Sequence, residues 1–241
     1  MLEGKGVSKN FGGLAAITKF DFTVGQGQIV GLIGPNGSGK TTLFNVITGF
    51  YPADDGKIIF KGKDITKYKP YEVAKSGISR TFQIVRPFLT LSVLDNVSIA
   101  VLYGRENLSN IEKSKKRALE ILNFVGLESK KNVPAHKLVA AERKRLELAR
   151  ALGTKPELLL IDESFSGLND TELQDAIKLI YRIRDDLRVT IFLIEHVMKA
   201  VMGSCEKIVV MHHGVKLAEG KPEEVTKNPT VIQAYLGKKH A

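Results

Sequence analysis

The chain opens with short alternating or β-branched runs broken by glycine. Residues 6–8, 16–24 and 28–33 predict strands, with Phe11-Gly12-Gly13 and Gly25-Gln26-Gly27 as the turns between them. Residues 58–60 and 64–65 flank a Lys61-Gly62-Lys63 turn and continue this β layer, ahead of a helix over 70–75. From Leu91 the period lengthens. Residues 91–102 and 111–125 predict helices, the second placing Ala118, Ile121, Leu122 and Val125 at i, i+3, i+4 and i+7, and 141–152 predict a third. The chain then alternates strand 158–161, helix 171–187, strand 189–194, helix 197–203 and strand 207–211, the pattern of a parallel sheet with crossover helices. A closing hairpin through His213-Gly214 into 215–218, a polar stretch over 222–228 and a short terminal helix complete the expectation. No internal repeat or low-complexity tract is visible.

Composition narrows the class. In 241 residues, 43% apolar and 26% charged is the ordinary globular mixture, which excludes a disordered, collagen-like or disulfide-stapled chain. Cys205 is the single cysteine, so no intrachain disulfide forms and the cytosol is the default compartment. No stretch approaches the roughly 20 apolar residues of a membrane span, and the first residues lack a secretory apolar region, so neither spanning nor export is expected. The formal charge of +10 admits nucleotides, nucleic acid or anionic headgroups as partners, and nearly all of the excess lies in the first 137 residues. The basic run Lys113, Lys115, Lys116 and Arg117 heads an amphipathic helix and reads as a solvated face.

The first chemical motif is Gly34-Pro35-Asn36-Gly37-Ser38-Gly39-Lys40-Thr41, which fits G-x-x-x-x-G-K-[ST] between an apolar strand and a helix over 41–48. Glycines let successive backbone N–H groups curl toward phosphate oxygens, and the helix N-terminus adds a positive field. Lys40 reaches the β and γ phosphates, and Thr41 can bind magnesium. A metal-binding acid is needed at the end of a neighbouring strand, and the apolar run over 158–161 ends in Asp162 and Glu163. Asp162 is expected to hold magnesium through water, and Glu163 to polarise or deprotonate the water that attacks the γ phosphate. His196 follows the next apolar strand and emerges at the same sheet edge.

Together, residues 34–42, Gln83, residues 138–152, Leu158 to Glu163, Ser166-Gly167-Leu168-Asn169 and His196 resemble, in order and spacing, the ATP-binding cassette of ABC transporters. Within that group Arg80-Thr81-Phe82-Gln83 with Arg86-Pro87-Phe88, then Ile194-Glu195-His196, Ala218-Glu219-Gly220 and Ala234-Tyr235-Leu236-Gly237 look like the ATPase subunits of branched-chain amino-acid importers. The resemblance implies an α/β fold: a P-loop ATPase core of mixed sheet and helices, an N-terminal antiparallel β layer and an inserted helical subdomain. Residues 1–89 would hold the β layer and phosphate-loop part, 90–155 the helical subdomain with the signature segment, and 156–241 the rest of the core.

The same resemblance implies roles. Phe11 would stack on adenine, with Gly34, Pro35, Asn36, Gly37, Ser38, Gly39, Lys40, Thr41, Thr42 and Asp162 around ATP. Gln83 would touch magnesium or the attacking water, and the loop after it would receive a coupling helix of the transmembrane permease subunits. His196 would hydrogen-bond the γ phosphate, and residues 166–169 would lie across a contact between two cassettes, with Asn169 in place of the usual aspartate. Cofactors would be ATP and Mg2+, the location the cytoplasmic face of the membrane, a solute-binding protein an indirect partner and nucleic acid none. An export ATPase, and an ABC ATPase acting on nucleic acid, are the alternatives.

One segment departs from the family. Its Leu-Ser-Gly-Gly-Gln signature stands here as Leu138-Val139-Ala140-Ala141-Glu142, with Arg145 in unchanged register. Val139 has no hydroxyl, Ala140 and Ala141 restrict close approach, and Glu142 brings negative charge near a phosphate. Either the site this segment completes is weakened, or backbone N–H groups and the helix dipole suffice. The asymmetry suggests pairing with a different cassette that carries an intact signature.

Overall fold

The structure, a computed structural model, describes residues 1–82, 87–108 and 110–236. Its first half runs β1 (Leu2–Phe11), β2 (Leu14–Val24), β3 (Ile29–Ile33), α1 (Lys40–Ile47), β4 (Asp55–Phe60), β5 (Lys63–Asp64), α2 (Pro70–Ser76), β6 (Ile78–Arg80), α3 (Val93–Tyr103), α4 (Ile111–Phe124) and α5 (Ala140–Gly153). The second half runs β7 (Leu158–Asp162), α6 (Asp170–Leu187), β8 (Thr190–Ile194), α7 (Met198–Ser204), β9 (Lys207–His212), β10 (Val215–Gly220), α8 (Pro222–Val225) and α9 (Pro229–Leu236).

Two sheets result. The antiparallel one has the order β2-β1-β4-β5, and alternation buries Leu2, Val7, Phe20, Phe22 and Val24 on one face while polar neighbours stay outside. The larger sheet, β10-β9-β3-β8-β7-β6, is parallel except for the β9–β10 hairpin. Its central strands β3, β7 and β8 are buried along their whole length, as unbroken apolar runs require when both faces are covered. Successive side chains therefore enter two different cores. Ile29, Ile33, Leu159, Ile161, Ile191 and Leu193 pack toward α3 to α7, whereas Val30, Leu32, Leu158, Leu160, Phe192 and Ile194 pack toward α1 and the antiparallel sheet. Phe192 stacks on Phe22 at 5.6 Å and meets Phe44 of α1 at 5.2 Å, which joins the two sheets through aromatic contact.

This is the expected α/β architecture with three differences. β1 extends well beyond residues 6–8, because its glycines fit their places: a Cβ on Gly4 would strike the Phe22 ring, and Gly6 takes a φ of 59°. β6 was not foreseen. Three residues reading Ile-Ser-Arg carry no period, and their pairing with β7 is set by a partner far along the chain. Inside the polar stretch after β10, Pro222 opens the one-turn α8, whose Glu224 carboxylate accepts from the Lys221 N–H at 3.1 Å. On α4, Lys113, Lys116 and Arg117 are exposed and Arg117 pairs with Glu120 at 2.6 Å, the solvated face expected. Among the described residues no helix is long and apolar enough to cross a membrane.

Cys205 sits in the core beside β3, where a Cβ added to Gly31 would come within 2.9 Å of its sulfur. Burial pushes its thiol up to about 12. Native protein at pH 8 is therefore expected to react with iodoacetamide about a thousand times more slowly than urea-unfolded protein, read by mass spectrometry of quenched time points. Labelling at the rate of a free thiol would show that this part of the core opens readily.

Candidate nucleotide site

β3 delivers residues 34–39 at the carboxyl end of the parallel sheet, and α1 begins directly afterwards at Lys40. Two glycines are required by their surroundings. A Cβ on Gly34 would collide with the Met211 carbonyl, and one on Gly39, whose φ is 108°, would lie 2.5 Å from the Ala16 carbonyl oxygen. The β9–β10 turn braces the loop, since the Gly214 N–H donates to the Ser38 carbonyl at 2.9 Å and Thr18 N–H donates to the Gly214 carbonyl at 2.9 Å. Lys40 is buried and folds over its own loop, Nζ donating to the carbonyls of Gly34 at 2.7 Å and Pro35 at 2.9 Å. Burial lowers its pKa, with Glu163 and Asp162 pulling the other way. Ser38 Oγ is buried with no hydrogen-bond partner, a polar atom left for a ligand.

Asp162 closes β7 and is 1% exposed. Its backbone N–H donates to Thr81 Oγ1 at 3.2 Å, and its Oδ2 takes Arg80 Nη2 at 2.6 Å. Oδ1 is buried and unpartnered. Burial pushes this carboxyl above its ordinary range, against the Arg80 guanidinium, and an approaching cation would act in the same sense as Arg80. The same arginine donates Nη1 to Asn45 Oδ1 at 2.5 Å, so helix α1 and Asp162 share one guanidinium.

Glu163 departs from the strand with φ 48°, a left-handed conformation that costs about 1–2 kcal/mol in a non-glycine residue and that the surroundings must hold. Its N–H donates to the Ile194 carbonyl at 2.9 Å, and its Oε1 lies 3.9 Å from His196 Nδ1. Between these two segments Glu195 is fully buried, accepting from the Phe165 N–H at 2.8 Å and the His196 N–H at 3.2 Å. Burial pushes Glu195 up, partly offset by those N–H donors.

The phosphate loop, Lys40, Glu163 and His196 share one cleft of about 870 Å³, whereas Asp162 lines a neighbouring groove. Phe11, residues 34–42, Glu163 and His196 line the cleft, with His213 and Tyr235. Phe11 is 42% exposed, held edge-on by Tyr51 at 5.2 Å, which leaves a ring surface for stacking. The neighbouring groove, of about 610 Å³, meets the cleft at Thr41 and runs past Asn45, Phe50, Arg80, Phe82 and Glu147. Val139, Ala140, Ala141 and Glu142 are not brought to the nucleotide cleft. They stand at the start of α5, where the Glu142 carboxylate accepts from the Val139 N–H at 3.2 Å and faces Lys130 at 3.4 Å. Asn169 caps α6 by a reciprocal pair with Glu172, each bond 2.9 Å, which an amide does as well as a carboxylate. Gln83 and Arg86 lie outside the described residues.

Four residues at the site escaped the sequence reading as functional: Arg80, Glu195, His213 and Tyr235. Tyr235 reaches the cleft from α9, and burial pushes its phenol up to about 12 against a hydrogen bond with the Gly34 backbone. The run Ala234-Tyr235-Leu236-Gly237 carries the subfamily resemblance, but nothing in it signals that Tyr235 reaches the cleft.

A family model described as ABC transporter matches residues 17–166. The chain belongs to the ABC transporter family. Residues 215–241 further match a model described as branched-chain amino acid ATP-binding cassette transporter, the segment that includes Tyr235. Relatives with assigned roles include the high-affinity branched-chain amino acid transport ATP-binding protein BraF of Pseudomonas aeruginosa, 39% identical over 98% of both chains. LivG of Escherichia coli, described in the same words, is 37% identical over 98% of both. Among solved structures, a nucleotide-free ATP-binding cassette from an ABC transporter superposes with a TM-score of 0.89 at 30% identity, covering 99% of each chain. The ADP conformation of MJ1267, an ATP-binding cassette of an ABC transporter, gives 0.89 at 32% identity with the same coverage. The cassette is thus an ATP-binding domain of the ABC ATPase family.

Proposed function

We propose that this cassette hydrolyses ATP to energise uptake of branched-chain or related amino acids, as the peripheral subunit of a membrane importer at its cytoplasmic face. The observation that carries the reading is the convergence of Lys40, Glu163 and His196 on one cleft beside a buried acid with a free oxygen. The C-terminal match to branched-chain amino acid cassettes supports import of that solute class over export.

In the cleft, Phe11 stacks on adenine, the loop N–H groups and Lys40 hold the phosphates, and Glu163 orients and deprotonates water while His196 steadies the γ phosphate. Thr41, Asp162 and Gln83 would hold magnesium, which when bound neutralises charge on the phosphate oxygens. The orphaned Asp162 Oδ1 fits that use.

The signature segment is not among the residues that line its own cleft, and it would serve the cleft of a second cassette. There the Glu142 carboxylate already occupies the α5 N-terminus that would meet a phosphate, which supports a partner chain with an intact signature. The groove past Phe50 and Phe82 suits a helix from the transmembrane permease subunits, and the solute-binding protein acts through those subunits.

Coexpression of the chain with transmembrane permease subunits and a second cassette of intact signature is expected to yield one detergent-extracted complex. In vesicles with ATP inside and a solute-binding protein outside, it should accumulate leucine or valine. The isolated chain is expected to hydrolyse ATP at least tenfold more slowly than the complex. Full turnover by a homodimer would overturn the unequal pairing, and ATP-driven efflux would overturn import.

A further inference from the structure

Residues 80–82 form a short arm gripped from both sides. On one side, Arg80 holds Asp162 Oδ2 and Asn45, Thr81 N–H donates to the Leu160 carbonyl at 2.9 Å, and Thr81 Oγ1 receives the Asp162 N–H. On the other side, the Phe82 N–H donates at 2.5 Å to Oε1 of Glu147, a residue of α5 that is 6% exposed. β6 is an edge strand, so apart from β7 nothing in the sheet fixes the end of this arm. A carboxylate buried in the helical layer is costly without compensation, and here the Phe82 N–H supplies it together with the charges of Arg150 and Arg80. Arg80 also packs its guanidinium 5.1 Å from the Phe82 ring, and Phe50 meets that ring edge-on at 6.0 Å, which ties the two ends of the arm to each other.

We propose that Glu147 is a positioning residue for hydrolysis: its grip on Phe82 ties the helix that begins with the signature segment to the arm that aims Asp162. Displacement of α5 then reaches the acid through three residues, without passing through bound nucleotide. The inference rests on the ATPase reading for its catalytic consequence and on geometry alone for the grip.

Two measurements separate these parts. Amide hydrogen exchange of the Phe82 N–H is expected to speed up at least tenfold in Glu147→Ala and to stay near the wild-type rate in Glu147→Gln, which keeps a carbonyl acceptor. Steady-state hydrolysis by the assembled complex should fall at least about tenfold in Glu147→Ala, since misplacement near 1 Å costs up to a hundredfold. Affinity for a fluorescent ATP analogue should stay within twofold, and Glu147→Gln should recover most of the rate. Unchanged Phe82 exchange, unchanged turnover, failure of glutamine to rescue, or parallel loss of binding and turnover would each overturn the proposal. If no chain hydrolyses ATP, the ATPase reading fails, and the exchange result still decides the grip.

Discussion

Glu163→Gln is expected to bind ATP as the wild type does and to lower turnover by about 10²- to 10⁴-fold, the range a positioned general base supplies. The substitution preserves volume, and the backbone that sets its direction is held independently of the side chain, by the N–H bond to Ile194 in a left-handed conformation. What is lost is the ability to accept a proton beside His196. Because nucleotide binding survives, the paired cassettes should accumulate in the ATP-closed state, visible as an ATP-dependent shift to dimer on size exclusion. Turnover within threefold of wild type would mean that another group deprotonates the water.

The second large effect is expected from Lys40→Ala: ATP affinity falls by about 100-fold or more, measured by calorimetric titration. The arithmetic is that of charge-assisted bonds, about 1.5–3 kcal/mol each, with at least two made to the phosphates and 1.4 kcal/mol per factor of ten. The ammonium sits inside the loop, donating to Gly34 and Pro35, so it is held beside the loop and not in solvent. Removing it also unties the loop. An affinity within threefold of wild type would show that the backbone N–H groups and α1 alone hold the phosphates.

Legibility in the sequence followed the locality of each feature. The cradle was readable because its chemistry needs contiguous residues, and Asp162-Glu163 because an apolar run ending in two acids is visible at a glance. The parallel sheet followed from strand and helix alternation. Arg80 was not readable as the partner of Asp162, since that requires the β6–β7 register, Arg80 beside Leu160, which only folding sets. Glu195 was hidden for another reason: an acid just past an apolar strand looks solvated, yet this one is buried, with backbone N–H groups of Phe165 and His196 partly offsetting the cost. Tyr235 enters the cleft from the far end of the chain, a relation no local pattern encodes.

The strand order carries a consequence for how the protein is made. β3, which launches the phosphate loop, lies between β8 and β9, so both of its hydrogen-bonding neighbours are synthesised near the end of the chain. While the ribosome is still working, the first 189 residues can pair β1, β2 and β4 but leave β3 with both edges bare. The nucleotide site is thus expected to assemble late, and a nascent chain stalled ahead of residue 207 should cling to chaperones and fail to retain ATP, whereas one that has released residue 220 should do the reverse.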